Sequence, residues 1–253
     1  MSGLWRMAAG LLLLSLGLLA TVQAAEVRVA VAANFTAPMQ KIADAFERET
    51  GHKAVLTFGP TGAFAAQIRN GAPFDLLLAA DSATPEKLIA DGLAIGASRF
   101  SYAIGRLVLW SARPDLVDAR GEVLRNPQRF ERLAIANPKL APYGQAAMEA
   151  MSKLGVLDTL RPKFAQGESI AKALHFVASG NAQLGFVALS QVQVDGKLSG
   201  GSAWIVPAEL HEPIRQDAVL LQRGRDNAAA AALLRYLRSE PALRLIAGYG
   251  YGH

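Results

Sequence analysis

Four short segments of this chain place small residues and hydroxyl or amide side chains directly before a predicted helix. They are Ala32–Thr36, Gly59–Ala63, Ala141–Gln145 and Gln166–Ile170. The first N–H groups of a helix have no acceptor within that helix, and the helix dipole adds positive potential at the same end. Small residues let a ligand approach these N–H groups closely. Together the four segments predict a binding site for a small anion.

The lack of Lys and Arg in these segments favours reversible binding over catalysis. Lys139 lies a few residues before Ala141–Gln145. Phosphoryl transfer usually relies on fixed cations or a bound metal. A buried anion instead needs a hydrogen-bond donor for each of its lone pairs. Neutral amides and hydroxyls meet that need, and a tetrahedral oxyanion presents four oxygens to them.

Other kinds of site find little support in the sequence. There is no cysteine, and the four histidines are too scattered for a zinc or haem site: His52, His175, His211 and His253. Asp75 and Asp81 flank an apolar strand and are interpreted as a local salt bridge and a helix cap rather than an acid–base pair. We therefore expect no catalytic residue, no protein-bound metal and no cofactor.

The composition and the N-terminal sequence indicate the class of partner and the cellular location of the protein. The 253 residues carry a formal net charge of +5 without a basic run, which argues against nucleic-acid binding. Arg6, the apolar run Ala8–Leu19 and the small residues Val22–Ala24 predict a cleaved signal peptide over residues 1–24. The alternative is an uncleaved anchor, but the apolar run is short for a membrane span. We expect a monomer that is free in the periplasm, with no membrane anchor after cleavage.

The hydrophobic pattern alternates short apolar runs with helical periodicity, which favours an α/β fold with mainly parallel strands. Phe100–Trp110 is predicted as one long β-strand. We expect the chain to cross to a second lobe near residue 104 and to return near 213. Lobe 1 then comprises residues 25–104 and 214–253, and lobe 2 comprises residues 105–213. Two crossing strands would act as the hinge, and Gly248–Gly252 is predicted to be a frayed tail.

Five segments resemble the periplasmic molybdate-binding proteins of ABC transporters, in order and spacing, over essentially the whole mature chain. They are Val31–Thr36, Asn70–Asp75, Leu78–Asp81, Ala141–Gly144 and Leu184–Gln191. The resemblance implies a type II, two-lobed periplasmic binding protein fold that closes on molybdate or tungstate. It also implies delivery to a membrane permease driven by a separate ATPase.

The resemblance also assigns roles to single residues. It implies that Asn34 donates to the anion through its side chain and backbone, Thr61 through its hydroxyl, and Tyr143 and Ile170 through their backbone N–H groups. Ala33 is a further backbone donor. Molybdenum then enters only within the bound oxyanion, without direct protein ligands.

Several alternatives stay open at this point. Asn34, Thr61 and Ser169 also suit helix caps, and Ile170 suits the core. Some relatives have a tyrosine at the position of Ala188, and the hydroxyl of Tyr143 is a possible replacement for it. The ligand could instead be sulfate, thiosulfate or phosphate. A periplasmic hydrolase is a remote alternative, because no Gly-x-Ser-x-Gly pattern or clustered histidine is present.

Overall fold

The computed structural model describes residues 24–252, so nearly all of the predicted signal peptide lies outside the described residues. The strands are β1 Glu26–Ala32, β2 Lys53–Gly59, β3 Leu76–Leu78, β4 Phe100–Gly105, β5 Leu107–Ser111, β6 Leu133–Ala136, β7 Phe164–Gly167, β8 Leu184–Ala188, β9 Gln193–Val194, β10 Lys197–Leu198, β11 Ser202–Ile205 and β12 Ile214–Leu220.

The α-helices are α1 Thr36–Thr50, α2 Thr61–Arg69, α3 Ala83–Ala90, α4 Pro142–Lys153, α5 Leu157–Leu160, α6 Ile170–Ala178, α7 Leu189–Val192, α8 Ala228–Tyr236 and α9 Glu240–Gly248. Short 3-10 turns lie at Ala33–Phe35, Gly96–Ser98, Glu122–Arg125, Pro127–Arg129, Arg161–Lys163, Ala208–Leu210 and Gln222–Gly224. Within residues 24–252, no helix is both long and apolar enough to cross a membrane.

Two five-stranded sheets form the centres of the two lobes. The first sheet has the order β2-β1-β3-β12-β4, and the second has the order β11-β5-β8-β6-β7. Strands joined through helices pair in parallel, namely β1 with β2 and β3, and β6 with β7 and β8. The other four pairings in these sheets are antiparallel. The prediction of mainly parallel strands is therefore wrong for the strands that connect the lobes, because these lack a helical crossover.

The β-run predicted over Phe100–Trp110 is divided between the two sheets. β4 ends at Gly105 in the first sheet, and β5 begins at Leu107 in the second. The return crossing leads from Ile205 to Ile214 through a segment that contains a 3-10 turn. Arg106 and residues 206–213 are thus the segments at which the chain passes between the sheets.

The C-terminal segment is ordered, contrary to the prediction of a frayed tail. Gly252 exchanges two backbone hydrogen bonds with Ile104, at 2.8 and 2.9 Å, directly before the first crossing. Tyr249 and Tyr251 are buried at 5% and 7% exposure. Gly250 has a φ of +80°, a backbone conformation that residues with a side chain rarely adopt. The segment follows neither helical nor strand periodicity, so its burial could not be predicted from the sequence pattern.

Helices cover both faces of the first sheet. Val29 and Val31 of β1 pack with α1, whereas Ala30 between them packs with Phe64 of α2. Successive side chains of a strand point to opposite faces, which accounts for this division. A sheet covered on both sides requires apolar residues at nearly every position of its central strands. This fixed core holds the ends of β1 and β2, from which two of the four segments emerge.

Gly144 allows α4 to pack directly on the end of β6 in the second lobe. A Cβ atom at this position would lie 2.3 Å from the carbonyl oxygen of Ala136. No L side chain can be accommodated there unless the helix moves away from the strand. The close packing therefore fixes the start of α4, including Tyr143.

We predict that Gly144→Ala destabilises the protein by about 1–3 kcal/mol through this steric overlap. Helix propensity alone would give the opposite sign, since alanine is favoured over glycine by about 1 kcal/mol in a helix. The measurement is the free energy of unfolding in urea. Ser152→Ala, at an exposed position of the same helix, is the control and should change stability by less than about 0.5 kcal/mol. A Gly144→Ala variant as stable as the parent would contradict the packing described.

Candidate oxyanion-binding site

A small cavity lies where the four segments meet between the lobes. All five residues expected from the sequence line it, together with six neighbours. The lining residues are Ala32, Ala33, Asn34, Gly59, Pro60, Thr61, Ala80, Ala141, Pro142, Tyr143 and Ile170. None of these eleven lining residues carries a charged side chain. The cavity volume of about 10 Å³ is far below the roughly 300–1,000 Å³ typical of sites for drug-sized ligands, so it suits a small ion.

Helix starts from both lobes surround this cavity. Thr61 is the first residue of α2, Ile170 is the first of α6, and Tyr143 is the second of α4. Asn34 lies in the 3-10 turn that leads into α1. The first N–H groups of a helix have no acceptor within it. These positions therefore direct donors and positive dipole ends towards the cavity between the lobes.

Thr61 supplies a hydroxyl group with a defined orientation. Its side chain is 1% exposed, and its Oγ1 accepts a hydrogen bond from the backbone N–H of Ala80 at 2.9 Å. The alternative role as a helix cap is not realised, since Pro60 occupies the N-cap position and Thr61 is the first residue of the helix. With one lone pair occupied by Ala80, the hydroxyl proton is free to point elsewhere and to donate.

Ile170 is compatible with both interpretations given in the sequence analysis, as a core residue and as a backbone donor. Its side chain is 3% exposed and belongs to the core of the second lobe. Ser169 caps α6, since its Oγ accepts from the backbone N–H of Lys172 at 3.2 Å. The cap uses the N–H of the third helical residue and leaves that of Ile170, the first, available to a ligand.

Asn34 differs in part from the prediction. Both N–H groups of its side chain are engaged, because Nδ2 donates to Gln216 Oε1 at 2.8 Å and to the Tyr251 hydroxyl at 2.9 Å. In this arrangement the predicted side-chain donation to the anion is not available. The backbone carbonyl of Asn34 is also held, by Ser190 Oγ at 2.9 Å. These contacts fix the backbone that presents the Asn34 N–H group.

Tyr143 and Ala188 have different surroundings in the structure. Ala188 is fully buried outside the cavity lining, and its N–H donates to Gln191 Oε1 at 3.0 Å. The hydroxyl of Tyr143 accepts from Gln216 Nε2 at 3.2 Å. A Cβ atom at Gly105 would lie 2.2 Å from this hydroxyl, so the ring depends on the glycine at the first crossing.

A fully buried polar cluster adjoins the cavity, and we call it the amide–tyrosine cluster. Its members are Asn34, Tyr102, Tyr143, Ser190, Gln216 and Tyr251, all at most 7% exposed. Burial raises the pKa of the tyrosines Tyr102, Tyr143 and Tyr251 well above the ordinary value of 10. The cluster is therefore neutral at physiological pH, so no phenolate repels an anion in the cavity.

The sequence did not identify four members of this cluster as site residues, namely Tyr102, Ser190, Gln216 and Tyr251. One signal was present: Gln216 and Asp217 interrupt the apolar run of β12. The pairing of β12 with β4 is irregular at this point, with Gln216 opposite Ala103 and Asp217 opposite Ser101. Such a bulge changes the direction of neighbouring side chains. An alternating pattern cannot reveal it.

A hydrogen bond joins the lobes directly beside the cavity. The N–H of Gly62, in α2, donates to the carbonyl oxygen of Leu140 at 2.9 Å. A Cβ atom on Gly62 would lie 3.1 Å from the Leu140 Cα atom. This close contact between backbones favours glycine and holds the lobes together at one side of the cavity.

Two aspartates considered as an acid–base pair have separate structural partners. Asp75 Oδ2 accepts from Arg28 N at 2.8 Å, and Asp75 Oδ1 lies 3.7 Å from Arg223 Nε. Asp81 Oδ1 accepts from Thr84 N at 2.7 Å, as a helix cap does. Burial raises the pKa of Asp81, although hydrogen bonds from Thr84 oppose the shift. No group of His, Cys, Asp or Glu suited to a metal occurs in residues 24–252.

Comparison with known proteins agrees with this geometry. A family model described as bacterial extracellular solute-binding protein matches residues 27–252. The molybdate-binding protein ModA of Azotobacter vinelandii is 59% identical over 94% of this chain and 95% of its own length. ModA of Rhodobacter capsulatus is 51% identical over 97% and 96%, respectively.

Solved structures give the same result. The periplasmic molybdate-binding protein of Azotobacter vinelandii superimposes with a TM-score of 0.86 at 40% identity, covering 90% of this chain and 99% of that one. The sulfate-binding protein SubI of Mycobacterium tuberculosis has a TM-score of 0.74 over 90% of this chain and 86% of its own, at 12% identity, which shows the fold alone. The type II, two-lobed periplasmic binding fold is thus confirmed, as is the resemblance seen in the sequence. The chain therefore belongs to the bacterial extracellular solute-binding proteins and, within them, to the molybdate-binding proteins.

Proposed function

We propose that this chain is the periplasmic binding component of an ABC importer and captures molybdate, and also tungstate, in the cavity between its lobes. The observation that carries the proposal is the convergence of helix starts from both lobes on one small cavity lined by uncharged groups. Relatives that are binding proteins rather than enzymes support binding as the whole function.

Each lobe would contribute part of the anion's hydrogen-bonding shell. Lobe 1, residues 25–104 and 214–253, provides Ala33, Asn34 and Thr61, and lobe 2, residues 105–213, provides Tyr143 and Ile170. Donors from one lobe alone reach only part of a tetrahedral oxyanion. The anion therefore binds the closed arrangement more tightly than the open one and shifts the equilibrium towards closure. The closed form would then dock on the membrane permease of the transporter.

Selectivity would follow from cavity size. Molybdate, tungstate and sulfate share charge and tetrahedral shape, so neutral donors cannot distinguish them by charge. A smaller anion such as sulfate reaches fewer donors at once, and a buried donor left without a partner costs about 1–3 kcal/mol. Molybdate and tungstate are nearly equal in size, and we expect the site to accept both.

The remaining features of the proposal concern the form of the protein. We propose that it acts as a monomer without a resident cofactor. A relative described as periplasmic supports export to that compartment.

Isothermal titration calorimetry of the mature protein with molybdate, tungstate, sulfate and phosphate, at one pH and salt concentration, tests this function. We expect tight one-to-one binding of the first two anions and no measurable heat from sulfate or phosphate. Binding of sulfate or phosphate in preference to molybdate would replace the proposed ligand. Binding of none of the four would refute an oxyanion site.

We predict that Thr61→Val weakens molybdate binding about 10- to 100-fold, because a hydrogen bond to a charged group is worth about 1.5–3 kcal/mol. Thr61→Ser keeps the hydroxyl and should bind nearly as well as the parent. Ile170→Val keeps the backbone N–H and should also change little. Dissociation constants from calorimetry check these changes, and unchanged affinity in Thr61→Val would exclude the hydroxyl as a ligand.

A second prediction concerns closure. Gly62→Ala should weaken molybdate and tungstate binding equally, by roughly 5- to 150-fold, since overlap with Leu140 costs about 1–3 kcal/mol in the closed state alone. Most of the change should appear in the dissociation rate, measured by stopped-flow fluorescence. The control is Gly96→Ala, whose added methyl group meets only the Ile89 side chain, at 3.3 Å. Equal affinities for Gly62→Ala and the parent would show that this contact is not part of closure.

A further inference from the structure

Gln216 joins the anion-binding segments of the two lobes through its side-chain amide. It is fully buried on β12. Its Oε1 accepts from Asn34 Nδ2 at 2.8 Å and lies 2.9 Å from the Tyr102 hydroxyl, while Nε2 lies 3.2 Å from the Tyr143 hydroxyl. Asn34 belongs to the first lobe and Tyr143 to the second. One amide group therefore contacts a predicted anion-binding residue on each side of the cavity.

The cluster has a second consistent arrangement of protons at the same atomic positions. If the amides of Asn34 and Gln216 both turn over, Gln216 Nε2 donates to Asn34 Oδ1 and to Tyr102, whose hydroxyl lies 3.0 Å from the carbonyl oxygen of Ala79. The hydroxyls of Tyr143 and Tyr251 then donate to Gln216 Oε1 and Asn34 Oδ1. Exchange of oxygen and nitrogen in an amide reverses each bond without moving its partners.

The two arrangements differ in what Asn34 can offer to the cavity. In the first, both N–H groups of its side chain are used within the cluster, by Gln216 and Tyr251. In the second, Asn34 Oδ1 takes over both contacts, so Nδ2 is released from them. An acceptor oxygen repels an anion, whereas an N–H group stabilises it. An oxyanion in the cavity, which Asn34 lines, therefore favours the second arrangement.

We propose that Gln216 is a positioning residue that turns over together with Asn34, so that the Asn34 side chain donates to the bound anion. This role rests on the proposed oxyanion-binding function. It requires a neutral side chain with one donor end and one acceptor end, and Gln216 has both. The hydroxyls of Tyr102 and Tyr143 can each donate or accept, so they follow the reversal. The Tyr251 hydroxyl, which lies 2.9 Å from the Asn34 carbonyl oxygen, would give up donation to it, but that oxygen still accepts from Ser190 Oγ. The Asn34 side-chain N–H group is therefore released for donation only when the anion is present.

A double-mutant cycle measured by calorimetry with molybdate tests this role. Gln216→Met keeps the length of the side chain and removes both hydrogen-bonding ends, and Asn34→Ala removes the side-chain amide but keeps the backbone N–H. We expect each single variant to bind molybdate about tenfold more weakly, at an unchanged one-to-one stoichiometry. The double variant should also be about tenfold weaker than the parent, because both changes disable the same donor. A hundredfold loss in the double variant would show that Gln216 acts independently of Asn34 and would overturn the proposal.

A purely structural role for Gln216 gives a different result. It would lower the midpoint of thermal unfolding of Gln216→Met but leave the dissociation constant of the folded molecules at the parental value, which would also overturn the proposal. Ser111→Ala is the control for stability. Ser111 is fully buried, and its hydroxyl donates to the Gln183 carbonyl oxygen at 2.6 Å in the second lobe. We expect this variant to lose stability without any change in molybdate affinity.

The side-chain resonances of Asn34 provide a direct signature. In ¹⁵N-labelled parent protein, addition of molybdate should shift the Asn34 Nδ2 resonance, and in Gln216→Met this shift should be lost or much reduced. An Asn34 Nδ2 resonance that molybdate shifts equally in both proteins would refute coupling between the two amides. Absence of molybdate binding by the parent protein would instead refute the proposed function, so the two failures are distinguishable.

Discussion

The burial of an anion without a counter-charge is the constraint on which the rest of this structure depends. An ion removed from water is stable only if hydrogen bonds replace its hydration shell. The residues that line the cavity carry no charge, so backbone N–H groups, a hydroxyl and possible amide donors must do this alone. No single loop offers enough donors in enough directions. Helix starts beside two separate sheets converge on the cavity and point their free N–H groups from several directions.

This constraint explains why glycine and alanine recur around the cavity. Donors on the backbone are useful only if the backbone can approach both the ligand and its neighbours. Gly144 brings α4 onto the end of β6, and Gly62 brings α2 against Leu140 of the other lobe. Gly105 leaves room for the Tyr143 hydroxyl at the first crossing. In each case, a missing Cβ atom sets the distance between two packed elements beside the cavity.

Neutrality extends beyond the cavity lining to the amide–tyrosine cluster. Its hydroxyl and amide groups are hidden from water, and burial keeps the phenols protonated. A buried cluster of this kind is stable only when its members satisfy one another. The side-chain nitrogen and oxygen atoms that are buried without a partner in residues 24–252 lie elsewhere, at Ser82 and Ser239. The cluster can therefore serve as a rigid support that still permits an exchange of donors and acceptors.

The sequence by itself determined the local features of this protein. Helix starts and most strands follow from patterns within a few positions, because capping and periodicity are local properties. The five expected site residues were implied by the family resemblance, and all five line the cavity. The segments in register also indicated the family. Where the prediction depended on how distant strands pair, it was less accurate, as the division of Phe100–Trp110 at Arg106 and the mixed sheets show.

Tertiary structure alone decided the hydrogen-bond partners of Asn34 and the position of the C-terminal segment. Gln216 and Tyr251 lie 182 and 217 positions from Asn34, so no spacing in the sequence relates them. The direction of the Asn34 amide depends on these partners, and so does its ability to donate to a ligand. A residue type gives a side chain its donors and acceptors, but only folding decides which of them are already in use.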